Sequence, residues 1–429
     1  MLARLLRAFD LFFYVLVGVL LLTGADPIRT QTLDRARAYT RPLEFDYVSW
    51  SLEAAWLKLQ TSSLGMPGYL SNEARKQVVF EYLFLTERVI QAEGQLASLY
   101  ADPAITDKDA ATAHLRSELG SLHERQAQLA PLSEAILQDQ VTATLAGLDL
   151  TAAGQPIPPV LYHSSSVPMG LIVSPRDHIE QLANISLEPG LTIDQQVSLE
   201  AQVDSGLDVS SLVVPIGGVG VYPTMVMRTT DLPWLLDTIS HEWTHNFLTL
   251  RPLGLLYDAT PELRTMNETT ASIVGGEVGQ MVLQTYYPEL TAARLPQAWL
   301  AAHQAILPPV DEEDPPFDFR AEMHETRVNT DRLLAEGKVD QAEAYLEARR
   351  EFFWQNGYPL RKLNQAYFAF YGAYADVPGG AAGEDPVGPA VRALRAQSPS
   401  LADFVRRISW MTSFEQLQQA IAGGEATGD

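Results

Sequence analysis

The segment TTDLPWLLDTISHEWTHNFLTLRP, residues 229–252, constrains this fold more than any other. Asp231 can cap a helix, Pro233 suits its first turn and Pro252 ends it. On such a helix His241 and His245 are one turn apart, so both imidazoles leave the same face. Trp243 lies about 200° round from His241, and Leu236 and Phe247 also point away from the pair. The helix therefore has an apolar back that must be packed and a front with two metal-competent rings. Glu242 stands beside that front, where a base acting on water belongs.

Two imidazoles leave a metal short of ligands, because an open catalytic zinc site takes three protein donors plus water. The chain has no cysteine, which excludes disulfides, thiolate metal sites and thiol catalysis. Any further donor must be His, Asp or Glu. The next helical segment, TPELRTMNETTASIVGGEVGQMVLQTYY, supplies two glutamates, Glu268 and Glu277. Thr260 can cap this helix and Pro261 suits its first position. Nine residues on a helix is about 180°, so only one glutamate can face the histidines. Ala271, Ser272, Gly275 and Gly279 lie near the Glu268 direction and form a stripe of small residues. Glycine inside a helix costs about 1 kcal/mol relative to alanine, and Gly275, Gly276 and Gly279 together point to a helix packed very close. Such an approach lets a short side chain reach a metal held by the facing helix. Glu268 is therefore the expected third ligand, with Glu277 solvated or behind the first ring of ligands. His163 and His178 lack companion ligands and read as ordinary polar residues.

His-Glu-x-x-His followed by Asn-Glu-x-x-Ala, with 22 residues between His245 and Glu268, resembles the gluzincin metallopeptidases, a group that includes thermolysin and many aminopeptidases. The resemblance covers roughly residues 220–285. It implies a zinc ion on His241, His245 and Glu268, with Glu242 as the catalytic base and a peptide or protein as substrate. It also implies an edge strand ahead of the active-site helix that pairs with extended substrate, for which GGVGVYPTMVMRTT is the candidate; a plain core strand is the alternative. Two features depart from the group. Ser272-Ile273 stands where thermolysin-like members place Ser-Asp, and the aminopeptidase Gly-x-Met-Glu-Asn motif is absent. The choice between exo- and endopeptidase therefore stays open. Gluzincins generally take a Tyr or His from a later helix to stabilise the reaction intermediate, and Tyr358, Tyr367, Tyr371, Tyr374 and His324 are candidates, although aromatic residues at helical spacing are more often core. Asn364-Gln365-Ala366 faintly resembles an Asn-Asn-Ala stretch of a bacterial family of aminopeptidase-like proteins.

The rest of the chain sets the context. Arg4 and Arg7 precede an apolar run from Leu11 to about Ala25. Positive charge ahead of such a run leaves the N-terminus in the cytoplasm. As a helix the run spans about 22 Å, short of the ~30 Å hydrocarbon core. Residues 1–27 thus read as a short signal anchor, or as a signal peptide cleaved near Thr23-Gly24-Ala25. Either places the remainder outside the cytoplasm, membrane-anchored or secreted. A net charge of −23 argues against a nucleic-acid partner, since phosphate binding needs a basic surface.

Residues 28–155 read as a helical domain. Val78, Tyr82, Leu83, Leu85, Val89 and Ile90 recur at helical spacing, as do Leu115, Leu119, Leu122 and Leu129. YADPAITDKD between them reads as a hairpin turn, and Pro131 as an interruption. AAGQPIPP marks a boundary, after which short β-branched stretches suggest a small mixed sheet over 157–228. The zinc helices follow at 231–287. The acidic loop LPPVDEEDPPFDF, helices over 320–425, the linker VPGGAAGEDPVGP and a frayed AGGEATGD tail complete a metallopeptidase-like unit over 156–429. The expected fold is α+β and predominantly α-helical. The competing reading of the same residues is a non-catalytic, membrane-tethered helical protein with a structural zinc site, which metal content measured together with peptide turnover separates.

Overall fold

A computed structural model describes residues 30–62, 66–101, 107–292, 317–358, 360–372 and 385–425. The N-terminal apolar segment and Tyr374 lie outside the described residues, as does most of the acidic loop. Among the described residues four α-helices come first: α1 (Thr30–Thr40), α2 (Tyr47–Ser62), α3 (Asn72–Ala101) and α4 (Lys108–Gly147). Strands β1 (Tyr162–Ser165), β2 (Met169–Pro175) and β3 (Ala183–Leu187) lead to α5 (Ile193–Leu207), then to β4 (Val209–Pro215), β5 (Gly218–Val219) and β6 (Thr224–Met227). The central helices are α6 (Leu232–Thr249), the short α7 (Pro252–Leu255), α8 (Pro261–Tyr286) and α9 (Pro288–Ala292). Among the described residues there follow α10 (Phe319–Ala335), α11 (Val339–Gln355), α12 (Gln365–Tyr371), α13 (Val387–Gln397), α14 (Leu401–Ile408) and α15 (Phe414–Glu425).

The fold is mostly helical with small sheets, so the α+β reading holds. The single expected sheet is instead two three-stranded ones. In the order β1-β6-β5, β1 and β6 run parallel while β5 and β6 run antiparallel. The second, β3-β2-β4, is wholly antiparallel. Ile216 and Gly217 separate β4 from β5 and let the chain change sheets. The mixed sheet lies against α6, with β5 on its edge.

One core joins both sides of the boundary read at AAGQPIPP. Tyr82, Ile136, Leu137, Val141 and Leu145 from α3 and α4 pack with Tyr162 of β1, Trp243 and Phe247 of α6, and Val274, Val278 and Val282 of α8. The composition change marks where helices give way to strands. The hairpin of α3 and α4 closes on Leu85, Val89, Leu119 and Leu122, while Ile90 is largely exposed. Pro131 does not break the helix: α4 runs through it for 40 residues. A proline removes one ladder bond, and here both halves of α4 are held by buried contacts.

The second sheet is covered by α1 and α5 on one face and by α12 on the other. The chain just before α2 adds to the β3 edge, where Phe45 N donates to the Ser186 carbonyl at 3.0 Å and Glu188 N to the Leu43 carbonyl at 2.7 Å. Asn364 caps α12 through the Tyr367 amide at 3.0 Å and holds the Ser211 carbonyl at 2.9 Å, while the Gln365 amide donates to the Arg176 carbonyl at 2.7 Å. Asn364 and Gln365 thus fasten α12 to the sheet. Of the tail expected to fray, residues 422–425 belong to α15, which continues to Glu425, and the remainder lies outside the described residues.

Candidate metal centre

Helix α6 forms as its ends dictate: the Asp231 carboxylate accepts from Trp234 N at 3.1 Å, with proline in the first turn. Leu235, Leu236, Ile239, Trp243 and Phe247 are buried on its back, leaving His241 and His245 on the front. Helix α8 is capped by Thr260, which accepts from Leu263 N at 3.2 Å. The small stripe then sets how close the two helices come. A Cβ on Gly279 would sit 2.9 Å from Asp237 N, and one on Gly275 would sit 2.9 Å from the Asp237 carbonyl oxygen and 3.1 Å from His241 Cβ. Only hydrogen fits at these positions. Gly276 differs from the expectation: it faces open space and has no part in the contact.

At this crossing His241, His245 and Glu268 come together. The two Nε2 atoms are 3.1 Å apart, and Glu268 Oε2 lies 3.6 Å from His241 Nε2 and 3.5 Å from His245 Nε2. A point equidistant from these three atoms is about 2.0 Å from each, which matches Zn–N and Zn–O bond lengths. Glu268 Oε2 is buried and accepts no hydrogen bond, although a buried carboxylate oxygen without a partner is strongly disfavoured. A cation there would satisfy it. The three residues could hold a metal ion, and their N,N,O donor set suits zinc.

The surroundings orient these donors. Nδ1 of His245 donates to Asn267 Oδ1 at 2.8 Å, which turns Nε2 toward Glu268. The Asn267 amide in turn donates to the Leu253 carbonyl at 3.3 Å. The Tyr257 hydroxyl donates to the other Glu268 oxygen, Oε1. Burial disfavours a charged His245 ring, but the Glu268 carboxylate outweighs it and pushes the imidazole up to about 9. Burial would likewise raise Glu268, yet the imidazoles of His245 and His241 hold it well below the usual carboxylate range.

Glu242 lines the same cleft, next to the three ligands. It is 7% exposed, and burial pushes its carboxyl above the ordinary glutamate value against the pull of the two imidazoles. A raised carboxyl is suited to exchanging protons near neutrality. Edge strand β5 runs over it: a Cβ on Gly218 would lie 2.7 Å from Glu242 Oε1, and one on Gly220 would lie 3.1 Å from His245 Cβ. The segment read as a substrate-pairing strand thus lines the cleft through Gly218, Val219, Gly220 and Val221.

The cleft measures about 340 Å³ and is closed elsewhere by Tyr47, Asn184, Ser186, Tyr257 and Phe370. Of the later candidates, Tyr358 stacks on Phe319 at 4.5 Å and Tyr367 packs on Tyr371 at 4.5 Å. Both pairs belong to apolar clusters. His324 lies on α10 with a buried, unpartnered Nδ1. None of these four lines the cleft. Glu277 faces away and forms a two-pronged ion pair with Arg395 at 2.7 and 2.8 Å.

His163 does have partners: its Nδ1 lies 3.0 Å from Glu134, a fully buried carboxylate that Lys58 also contacts. His178 sits between Asp177 and Glu180 on the surface.

Among the cleft residues that no site expectation named are Asn267, Tyr257 and Tyr47. Asn267 adjoins Glu268 and was legible as its neighbour. Tyr257, in the connection from α7, and Tyr47, at the start of α2, gave no local signal. Compared with known proteins, the chain matches no family model, no curated protein and no solved structure.

Proposed function

We propose that this protein hydrolyses peptide bonds, using zinc held by His241, His245 and Glu268. One observation carries the reading: two partly buried imidazoles and a buried carboxylate from two helices converge at metal-binding separations, and one donor, Glu268 Oε2, accepts no hydrogen bond. When bound, zinc supplies Lewis acidity, acidifying water and polarising a carbonyl oxygen. Glu242 removes a proton from the attacking water and returns it to the leaving amine. Its buried position protects that carboxylate from bulk solvent. The β5 edge offers backbone groups to an extended peptide, and the glycines there keep the wall thin beside Glu242. A purely structural metal site has no use for a base at this position.

The membrane-anchored setting rests on the sequence of residues 1–27, outside the described residues. Among the described residues no helix is long and apolar enough to cross a membrane. The chain after this segment is read as lying outside the cytoplasm, held by the segment or released by its cleavage.

The test combines metal analysis with turnover of a broad peptide library. Wild type is expected to carry about one zinc per chain and to cleave peptides, Glu242→Gln to keep the metal and lose turnover, and Glu268→Ala to lose both. Zinc bound without hydrolysis would favour the structural-site reading instead.

A further inference from the structure

We propose that Tyr47 is a catalytic residue of this cleft, its phenolic hydroxyl donating to the carbonyl oxygen of the scissile bond as negative charge develops there. The proposal rests on the hydrolase reading and places the donor upstream of the metal helices, at the first residue of α2.

The cleft narrows the choice of donor. Four hydroxyl side chains line it: Tyr47, Ser186, Thr249 and Tyr257. Thr249 donates back to the His245 carbonyl at 2.9 Å, and Tyr257 donates to Glu268. Ser186 accepts from Tyr47 at 2.7 Å. Tyr47 is thus a strong O–H donor whose present acceptor is a neutral hydroxyl. Exchanging that acceptor for a developing oxyanion is favourable, because hydrogen bonds to charged oxygen are about twice as strong as neutral ones.

The residue is also held in place before any substrate arrives. Its ring meets Phe45 edge-on at 5.0 Å. Phe45 is fixed to the β3 edge by its backbone bond to Ser186. On the other side, Asp46 caps α2 by accepting from Val48 N at 3.0 Å and Ser49 N at 3.1 Å. A donor fixed in advance by its neighbours is what electrostatic stabilisation of a transition state requires. Burial, with the nearby Glu242 charge adding to it, pushes the phenol above its ordinary value despite the Ser186 bond, so Tyr47 stays a neutral donor. It keeps its proton throughout; only its hydrogen bond moves.

The experiment compares wild type with Tyr47→Phe and Ser186→Ala in the zinc-loaded full chain. Tyr47→Phe keeps the ring against Phe45 and removes only the hydroxyl. It should lower kcat about 100-fold, leave KM within about twofold and leave zinc content unchanged. Ser186→Ala removes the resting acceptor but not the donor and should keep kcat within about threefold. A second readout is calorimetric affinity for a phosphinic peptide, whose tetrahedral anion mimics the charged intermediate; it should fall in parallel with kcat in Tyr47→Phe. Wild-type kcat and phosphinate affinity in Tyr47→Phe would overturn the role of Tyr47 alone, as would a loss on Asn184→Leu that Tyr47→Phe does not show. A zinc-loaded wild type that cleaves no peptide would overturn the hydrolase reading and this proposal with it.

Discussion

Asn267 accepts the Nδ1 hydrogen of His245 at 2.8 Å while its own amide is anchored on the Leu253 carbonyl at 3.3 Å. The anchored amide leaves only its oxygen for the ring, so Nε2 of His245 is the nitrogen presented to Glu268. Outer partners of this kind typically contribute about 10- to 100-fold in metal affinity. Asn267→Ala should weaken zinc binding by that factor, while Asn267→Asp, which keeps an acceptor, should not. Competition against a chelator of known affinity measures both, and an unchanged affinity in Asn267→Ala would remove Asn267 from the site.

The raised His245 ring makes zinc binding depend on pH. With the His245 ring pushed up to about 9, the metal must displace a proton at neutrality. Apparent affinity should therefore rise by roughly a decade per pH unit between pH 7 and pH 9 and then level off. The same shift stabilises the metal-free fold below the unfolded value of about 6.5, and that contribution is lost as pH rises through about 9. Calorimetry in buffers of different ionisation enthalpy counts the protons released. A count near zero at pH 7.5 would show that His245 is already neutral.

Some of this architecture was legible because it is local. Asp231, Pro233 and Pro252 bound one helix, Thr260 and Pro261 start the next, and the Gly275/Gly279 spacing selects Glu268 over Glu277. All of these follow from a repeat of about 3.6 residues per turn. Pro131 was misleading because burial on both sides of it outweighs a local preference. The division of the strands into two sheets turned on Ile216 and Gly217, which do not differ in pattern from their neighbours. Tyr47 reaches the cleft only because the chain before α2 pairs with β3, a long-range contact that no spacing within α2 encodes. Gly276 read like its two neighbours, and the helix crossing alone separates them.

That separation gives a paired test. Gly279→Ala forces a methyl against the α6 backbone at 2.9 Å, and overpacking of this sort destabilises by about 1–3 kcal/mol. It should also move α8 away from α6 and lower zinc content. Gly276→Ala meets nothing within 4 Å and should stabilise by up to about 1 kcal/mol through helix propensity. Denaturant melts of the two variants are expected to shift in opposite directions. Equal destabilisation would mean that both glycines serve some other purpose.

The buried carboxylate of Glu134 ties three elements together at a distance from the metal ligands. Lys58 of α2 contacts it, His163 of β1 lies 3.0 Å away, and Ser164 N donates to it at 2.9 Å. Burial opposes its charge, but Lys58 and His163 hold the carboxyl below the ordinary glutamate value. Removing one member of a buried ion pair leaves an uncompensated charge, at about 3–5 kcal/mol. Glu134→Ala should lose stability on that scale. Because α2 begins at Tyr47, loosening it should also impair turnover more than zinc binding. Because the folded carboxyl is depressed, its contribution is present above about pH 4.5 and disappears as pH falls through the lower folded value. Wild type and Glu134→Ala should therefore converge in denaturant midpoint under acid conditions. A gap that persists unchanged at low pH would mean that Glu134 acts by packing rather than by charge.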